Sequence, residues 1–414
     1  MNVKTRPALL LFSGGMFLIH LLFFWSVRDL IAKGYGDFTI FYTAGKIVRS
    51  NLGNQLYDNS TQYKFQQEFA SGVRIRQGPL PYNHPPFEAL IFVPFSYCSY
   101  ITSYVLWTLL NLLLLIALPF LLRPYVPILQ CAPAAFWLFV SLAFFGVFIA
   151  LLQGQDIILL LLLFTLAFVA LKKNAEFAAG CWLGLGLFRF HLVLPLVLVL
   201  LLHKRRKAVL GFALVALGLG LISIAVIGWK GAATYPLYIW NAENALEHGS
   251  TIVSDMPNLR GLVDSIGSAR ISKVVANGIV AVASIALVLL ASFKWNLAST
   301  GMAFDLGFSL CLVVTVLVSY HALAHDLSLL LLPVYLLANH FRVTEPRGWT
   351  RLAVLGPIVV LFFSPLQMVL WFRQGEFNLL ALVLLVWVCG IAREISDQEV
   401  ISPKNTAALD SVQR

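Results

Sequence analysis

Long apolar runs, each closed by a cluster of lysine or arginine, restrict what this sequence can fold into more than any other feature. Ala8 to Val27 follows Lys4 and Arg6, a run from about 100 to 122 ends at Arg123, and one from 156 to 171 ends at Lys172 and Lys173. A bilayer crossing takes about 20 mostly apolar residues, and within lipid every backbone polar group must be satisfied internally, as a helix does. The prediction is an all-α polytopic membrane protein. Composition agrees: with 59% hydrophobic and 12% charged residues in 414, the chain carries more apolar surface than one soluble core covers. A soluble enzyme, a disordered adaptor and a collagen-like fibre are excluded. The net charge of +10 sits at span ends, where bases meet anionic lipid headgroups, so the partner it predicts is membrane lipid and not nucleic acid. Cys98, Cys131, Cys181, Cys311 and Cys389 lie far apart, and build neither a disulfide frame nor a zinc site.

The positive-inside rule threads the spans. The segment Phe24 to Arg28 lacks a small-x-small cleavage site, so Ala8 to Val27 reads as a retained span with a cytoplasmic N-terminus. Further spans are expected at 100–122, 134–151, 156–171, 208–228, 274–293, 298–318, 327–339, 352–371 and 377–391. Ala175 to Leu202 would rise about 42 Å as a helix, too long for one pass. Both its flanks are basic, Lys172-Lys173 and Lys204 to Lys207, so it should be a hairpin of two short helices turning near Phe188-Arg189-Phe190-His191. The sum is twelve passes with both termini cytoplasmic: a membrane catalytic region over 1–393, with a first outer loop at 28–85, and a polar, disordered cytoplasmic tail over 394–414. Phe87 to Phe95 is too short to span and should be re-entrant or lead into the next span. Most of the 19 acidic residues fall in outer segments, so a site should face outward.

The first outer loop is the most informative part. Asp37, in Gly34-Tyr35-Gly36-Asp37-Phe38, sits between small and aromatic residues just beyond the membrane, where a general base would be placed. Its competing role is N-cap of the helix that follows. That helix, Ile40 to Ser50, has apolar residues at helical spacing and basic Lys46 and Arg49 on another face, which suits one lying on the headgroups. Asp58 reads as a cap before Thr61 to Ala70. Tyr82 to Phe87 holds His84, Pro85, Pro86 and then Glu88, a rigid corner or a ligand contact. Gln153, Gln155 and Asp156 are polar caps or site residues. Arg189 and His191 lie inside an apolar stretch, where ionisable groups usually face a cavity or a partner unless they snorkel. His321 and His325, followed by Asp326, would share a helix face and bind an anionic oxygen or a metal. With no third clustered ligand, the anion is favoured. Asn258 and Arg260 either add donors or hold their loop, and Asp305 within a span has no evident role.

Taken in order, these residues resemble glycosyltransferase family 87. The resemblance rests on Gly36-Asp37-Phe38, Tyr42-x-Ala44-Gly45, Leu56-Tyr57-Asp58, Pro85-Pro86-Phe87 and Leu106-Trp107-x4-Asn111-Leu112. It continues through Gly154-Gln155, Ala179-Gly180-x3-Gly184-Leu185-Gly186 and Ser319 to Asp326-Leu327. It implies a GT-C-like bundle, a polyprenyl-phosphate-linked hexose donor of the mannose type, a lipid or glycan acceptor, and Asp37 as the base that activates the acceptor. Two departures bear on preference: Arg189 stands where the family has lysine, and Asn83-His84 precedes the prolines where tyrosine is commoner.

The chemistry of the inventory is compatible. A glycosidase needs two carboxylates because an alcohol leaving group must be protonated. A phosphate leaves with its own charge, so one base and positive groups suffice. Asp37 is the catalytic candidate, with Arg189, His191, Arg260, His321 and His325 as phosphate ligands. Asp58, His84, Glu88, Gln155, Asp156, Asn258 and Asp326 are acceptor contacts or supports. No Asp-x-Asp pair is present, so no metal and no cofactor is expected. The rivals are a secondary transporter or flippase-like protein, which also has many spans and embedded charges, and a non-catalytic lipid-binding protein.

Overall fold

The computed structural model describes residues 5–70, 80–244, 253–267, 271–297, 301–344 and 348–412. All regular structure among them is helical. The helices are α1 (Thr5–Ala32), α2 (Phe38–Arg49), α3 (Asn59–Ala70), α4 (Ala89–Phe92), α5 (Tyr100–Leu122), α6 (Ala134–Leu142), α7 (Phe145–Gln153), α8 (Ile157–Lys172) and α9 (Glu176–Leu185). They continue as α10 (Phe190–Leu202), α11 (Arg206–Asn244), α12 (Leu259–Gly267), α13 (Lys273–Lys294), α14 (Gly301–Val318), α15 (Leu331–His340), α16 (Gly348–Phe362), α17 (Ser364–Met368) and α18 (Leu380–Val412).

Among the described residues, seven helical stretches are long and apolar enough to cross a membrane, or nine if two bent pairs each count as one. The expected span 134–151 is one such pair: α6 and α7 meet at 79°, with Phe144 extended between them. The other is α16 with Ser364–Gln374, bent by 69°, where Pro365 starts the second arm because it cannot donate to the turn before it. Twelve passes are expected from the sequence; the passes beyond the long helices fall on short ones, among them α8 and α15. α1, α5, α11 and α13 turn large apolar side chains outward, as lipid-facing helices do (Leu11, Leu113, Leu221 and Val282, for example). By contrast α14 is buried almost all round and forms the centre of the bundle.

Residues 176–202 have the length and apolarity of one crossing, yet the ends of the segment meet. Arg205 donates to Glu176 at 2.8 Å, whereas a straight helix would hold them roughly 40 Å apart. The segment therefore folds back at a 3-10 turn, Gly186–Arg189. Glycines let α9 lie directly on α11: a Cβ on Gly180 would come within 1.8 Å of the Ala208 carbonyl oxygen. Such small-residue contacts are how helices approach closely in lipid.

Two expectations differ from the structure. The helix after Asp37 does not lie on a surface: Phe38 to Gly45 and Ile47 are buried, with Phe41 stacked on Phe92 at 4.7 Å. The span expected to end at 228 does end there: Gly228, at φ 75° and ψ 166°, is non-helical, and a second helical arm of α11 follows it to Asn244. The last helix, however, continues to Val412, past Arg393, where a separate disordered tail is expected.

Candidate active site

Two aspartates begin successive segments of the first loop, and they behave differently. Asp58 is an ordinary cap: Oδ2 accepts from the Thr61 amide at 2.8 Å and from its hydroxyl at 2.7 Å. Asp37 occupies the position before α2 but makes no capping hydrogen bond. The reason is local. Asp37 already has helical dihedrals (φ −65°, ψ −16°), whereas a capping residue needs an extended backbone to turn its side chain onto the free amides. The carboxylate is held instead by Gln155, whose Nε2 donates to Oδ2 at 2.7 Å.

Gly154 makes that contact possible. It ends α7 in the left-handed conformation (φ 67°), and a Cβ there would lie 2.7 Å from the Phe38 Cβ. With glycine, the end of α7 packs onto the start of α2 and sets Gln155 beside Asp37. Asp156 follows at the start of α8. The hairpin tip brings Arg189 to both: Nε and Nη2 reach Asp156 Oδ1 at 2.8 and 2.6 Å, and Nη2 donates to Gln155 Oε1. Nη1 lies 3.5 Å from Asp326 Oδ1 and 3.3 Å from His325 Nε2. Arg189 is 3% exposed, so it turns inward to partners and does not snorkel. Gln155 thus bridges Asp37 to the arginine.

These groups border one cavity of about 630 Å³. Of the residues singled out in the sequence, Asp37, His84, Gln155, Arg189, His191, His321 and His325 line it. His191 and His321 face each other with ring centres 5.9 Å apart, and His191 Nε2 is buried without a hydrogen-bond partner. The expected helical pairing of His321 with His325 is not seen, because helix begins only at Ala324, as a 3-10 turn to Leu330. His321 reaches the cavity from the bend before that turn, and His325 from its second residue. His325 Nδ1 lies 3.0 Å from Gln153 Oε1.

Glu88, Asp156 and Asp326 are 0 to 1% exposed and lie behind the lining. Asp326 Oδ2 accepts from the Leu323 amide at 2.8 Å and so fixes the bend. Arg260 and Asn258 do not line the cavity. Arg260, expected among the phosphate ligands, donates to the Tyr320 carbonyl at 3.2 Å, with its guanidinium 4.0 Å over that ring. Asn258 donates to the Ser319 carbonyl at 2.8 Å. Both therefore brace the segment that carries His321.

His84 Nδ1 and Glu88 Oε2 are 2.8 Å apart, and ligand atoms of His84, Glu88 and Asp156 all lie within 4.8 Å of one another. That spacing would suit a cation, but Arg189 already brings a positive charge to Asp156 at 2.6 Å. Burial, reinforced by Asp156, pushes the Glu88 carboxyl well above the usual range. Burial also opposes ionisation of Asp156, but Arg189, Glu88 and His84 together outweigh it and hold that carboxyl low. His84 is lowered to about 3, by burial and then by Arg189.

The far wall of the cavity lies outside the sequence-level reading. Tyr235, Pro236, Ile239 and Trp240 line it from the part of α11 beyond Gly228, and Tyr238 donates to Asn83 Oδ1 at 3.1 Å. The signal was an aromatic run, Tyr235, Tyr238 and Trp240, masked by a glycine and a proline that look like helix breakers.

Compared with known proteins, the chain matches the model of glycosyltransferase family 87 over residues 82–320, more than half its length. No curated protein and no solved structure matches it. The matched stretch carries the lining residues named above except Asp37, which precedes it, and His321 and His325, which follow it.

Proposed function

The chain belongs to glycosyltransferase family 87 and is a membrane glycosyltransferase, and we propose that it moves a hexose, mannose by its resemblance, from a polyprenyl phosphate to a hydroxyl of a lipid or glycan acceptor. The observation that carries this reading is the placement of Asp37. Its carboxylate is excluded from capping by its own backbone, is held by Gln155, and borders the same cavity as Arg189, His191, His321 and His325. In the proposed reaction Asp37 takes the proton of the acceptor hydroxyl as that oxygen attacks the anomeric carbon. The bond from that carbon to phosphate breaks, and the phosphate leaves with the electron pair. One base on the acceptor side makes direct displacement the simplest course, with inversion at the sugar carbon.

Electrostatics decides where the phosphate sits. Arg189 spends its N–H groups on Asp156 and Gln155, so it sets the charge of the wall, while the histidines present polar edges to the leaving group. An apolar groove of about 540 Å³ shares Tyr235 with the cavity and runs along Pro85, Pro86, Leu217, Leu221 and Trp229. Its chemistry suits a polyprenyl chain. The positive-inside pattern supports twelve passes, cytoplasmic termini and a cavity on the extracytoplasmic face of the cell membrane, where nucleotide sugars are not supplied.

The test is to offer purified protein a polyprenyl-phosphate hexose and the nucleotide-linked form of the same sugar, and to read the product configuration by NMR. Transfer from the lipid donor with inversion is expected. Transfer from the nucleotide sugar alone, or retention, would overturn the donor and the single displacement respectively.

A further inference from the structure

His84 has no counterpart in the motifs that carry the family resemblance, where tyrosine is the commoner residue before the two prolines. Its surroundings give it a defined orientation. Nδ1 lies 2.8 Å from Glu88 Oε2 one helical turn on. The ring packs edge-on to Phe41 at 4.9 Å and stacks on Tyr82 at 5.5 Å, and the Tyr57 hydroxyl donates to the His84 carbonyl at 2.7 Å. The side chain keeps 13% exposure, and it lines the cavity. With Nδ1 turned to Glu88, the edge left for the cavity carries Nε2.

We propose that Glu88 acts as a buried, protonated positioning residue that donates to His84 Nδ1, so that His84 presents an Nε2–H donor to an oxygen of the lipid-linked sugar. The ring is then a neutral hydrogen-bond donor in the donor subsite, and neither a proton acceptor nor half of an ion pair. Three observations support this. Glu88 is fully buried and its near neighbours are another carboxylate, Asp156, and the Tyr82 hydroxyl at 3.4 Å, so ionising it would put two like charges together away from water. The only buried cation named in this cluster, Arg189, is committed to Asp156. Burial acts on His84 in the same direction, holding it neutral. In a neutral imidazole one nitrogen accepts and the other donates, and the partner of the first decides which. The oxygen recognised is either a phosphate oxygen or a sugar hydroxyl, and the inference rests on the donor assignment made above.

Side-chain shape supplies the test. In place of histidine, glutamine puts an amide N–H near the Nε2 position, and asparagine near Nδ1. His84→Gln should keep donor kcat/KM within about threefold of wild type, while His84→Asn and His84→Ala should each lose about tenfold or more, the scale for one hydrogen bond to a charged or fully engaged group. Glu88→Gln, neutral by construction, should also stay within about threefold, and Glu88→Ala should fall with His84→Ala. Competition by polyprenyl phosphate without sugar separates the two oxygens. Weaker inhibition of His84→Ala than of wild type places the contact on phosphate; unchanged inhibition places it on the sugar. A wild type that does not use the lipid donor at all would defeat the donor assignment itself. With an active wild type, the inference is overturned if His84→Gln is as impaired as His84→Ala, if Glu88→Gln is as impaired as Glu88→Ala, or if His84→Ala is unimpaired. All variants are compared at equal monodispersity, and His84→Gln and His84→Asn, of which the side chain meets the cavity, remain informative if the Glu88→Ala protein does not fold.

Discussion

The two polar ends of this bundle contrast. At the end opposite the cavity, polar side chains pair one to one: Lys172 with Asp305 at 2.6 Å, Arg205 with Glu176 at 2.8 Å, and His340 with Glu394 at 2.8 Å. These contacts tie α8 to α14, α9 to the turn after α10, and α15 to α18, and they give Asp305 its role. At the cavity end one arginine faces Asp156 and Asp326, with Glu88 behind. Oxygens of all three carboxylates, and His191 Nε2, are buried without hydrogen-bond partners. Among the described residues, His340 Nδ1 and Trp295 Nε1 are comparable atoms at the opposite end. Buried polar groups are normally satisfied, so a cluster of several unsatisfied atoms beside a cavity marks a place built for a ligand. Pairs that close on themselves mark structure.

That contrast can be broken by mutation, most forcefully at Arg189. Arg189→Ala leaves Asp156 buried without its cation, and should cost about 3–5 kcal/mol of stability together with transfer activity; denaturation in detergent and a transfer assay read both. Unchanged stability would mean that the arginine is not the charge that holds the cavity end.

Lys172→Ala is the matching cut at the opposite end. It leaves Asp305 buried, 3% exposed, and should lower stability by about 2–4 kcal/mol, somewhat less because Lys172 is partly exposed. The transfer rate per folded molecule should not change. A lower rate at full folding would couple the two ends and erase the distinction.

The smallest effect expected is none. EDTA should leave transfer intact, because Arg189 supplies the charge that a cation at His84, Glu88 and Asp156 would bring. Activity lost to chelation and restored by magnesium or manganese would move that cluster into the metal-dependent class.

Much of the cavity end was legible because it rests on local rules. Basic flanks on both sides of 175–202 left no single-pass solution, and the Arg205–Glu176 contact is the fold-back they demand. Asp58 caps, as its sequence context indicates. Asp37 reads equally as a cap or a base in the sequence, since whether it caps lies in backbone dihedrals that the sequence does not print. The spacing of His321 and His325 predicts a shared helix face, but the chain bends there and helix begins only at Ala324. The wall from Tyr235 to Trp240 is not legible in the sequence because a second helical arm, with Pro236 inside it, starts directly after Gly228 ends the first. The Lys172–Asp305 pair joins residues 133 positions apart, a distance over which no pattern rule reaches.

Everything depends on Asp37 being a base. Asp37→Asn keeps the shape and an oxygen for Gln155 Nε2 to donate to, and removes only the proton acceptor. Measured on purified protein with a polyprenyl-phosphate hexose, the variant should retain less than about a tenth of wild-type turnover, within the loss expected for a general base, with donor binding and stability nearly unchanged. Turnover above about a tenth with normal folding would return Asp37 to a structural role and contradict the mechanism.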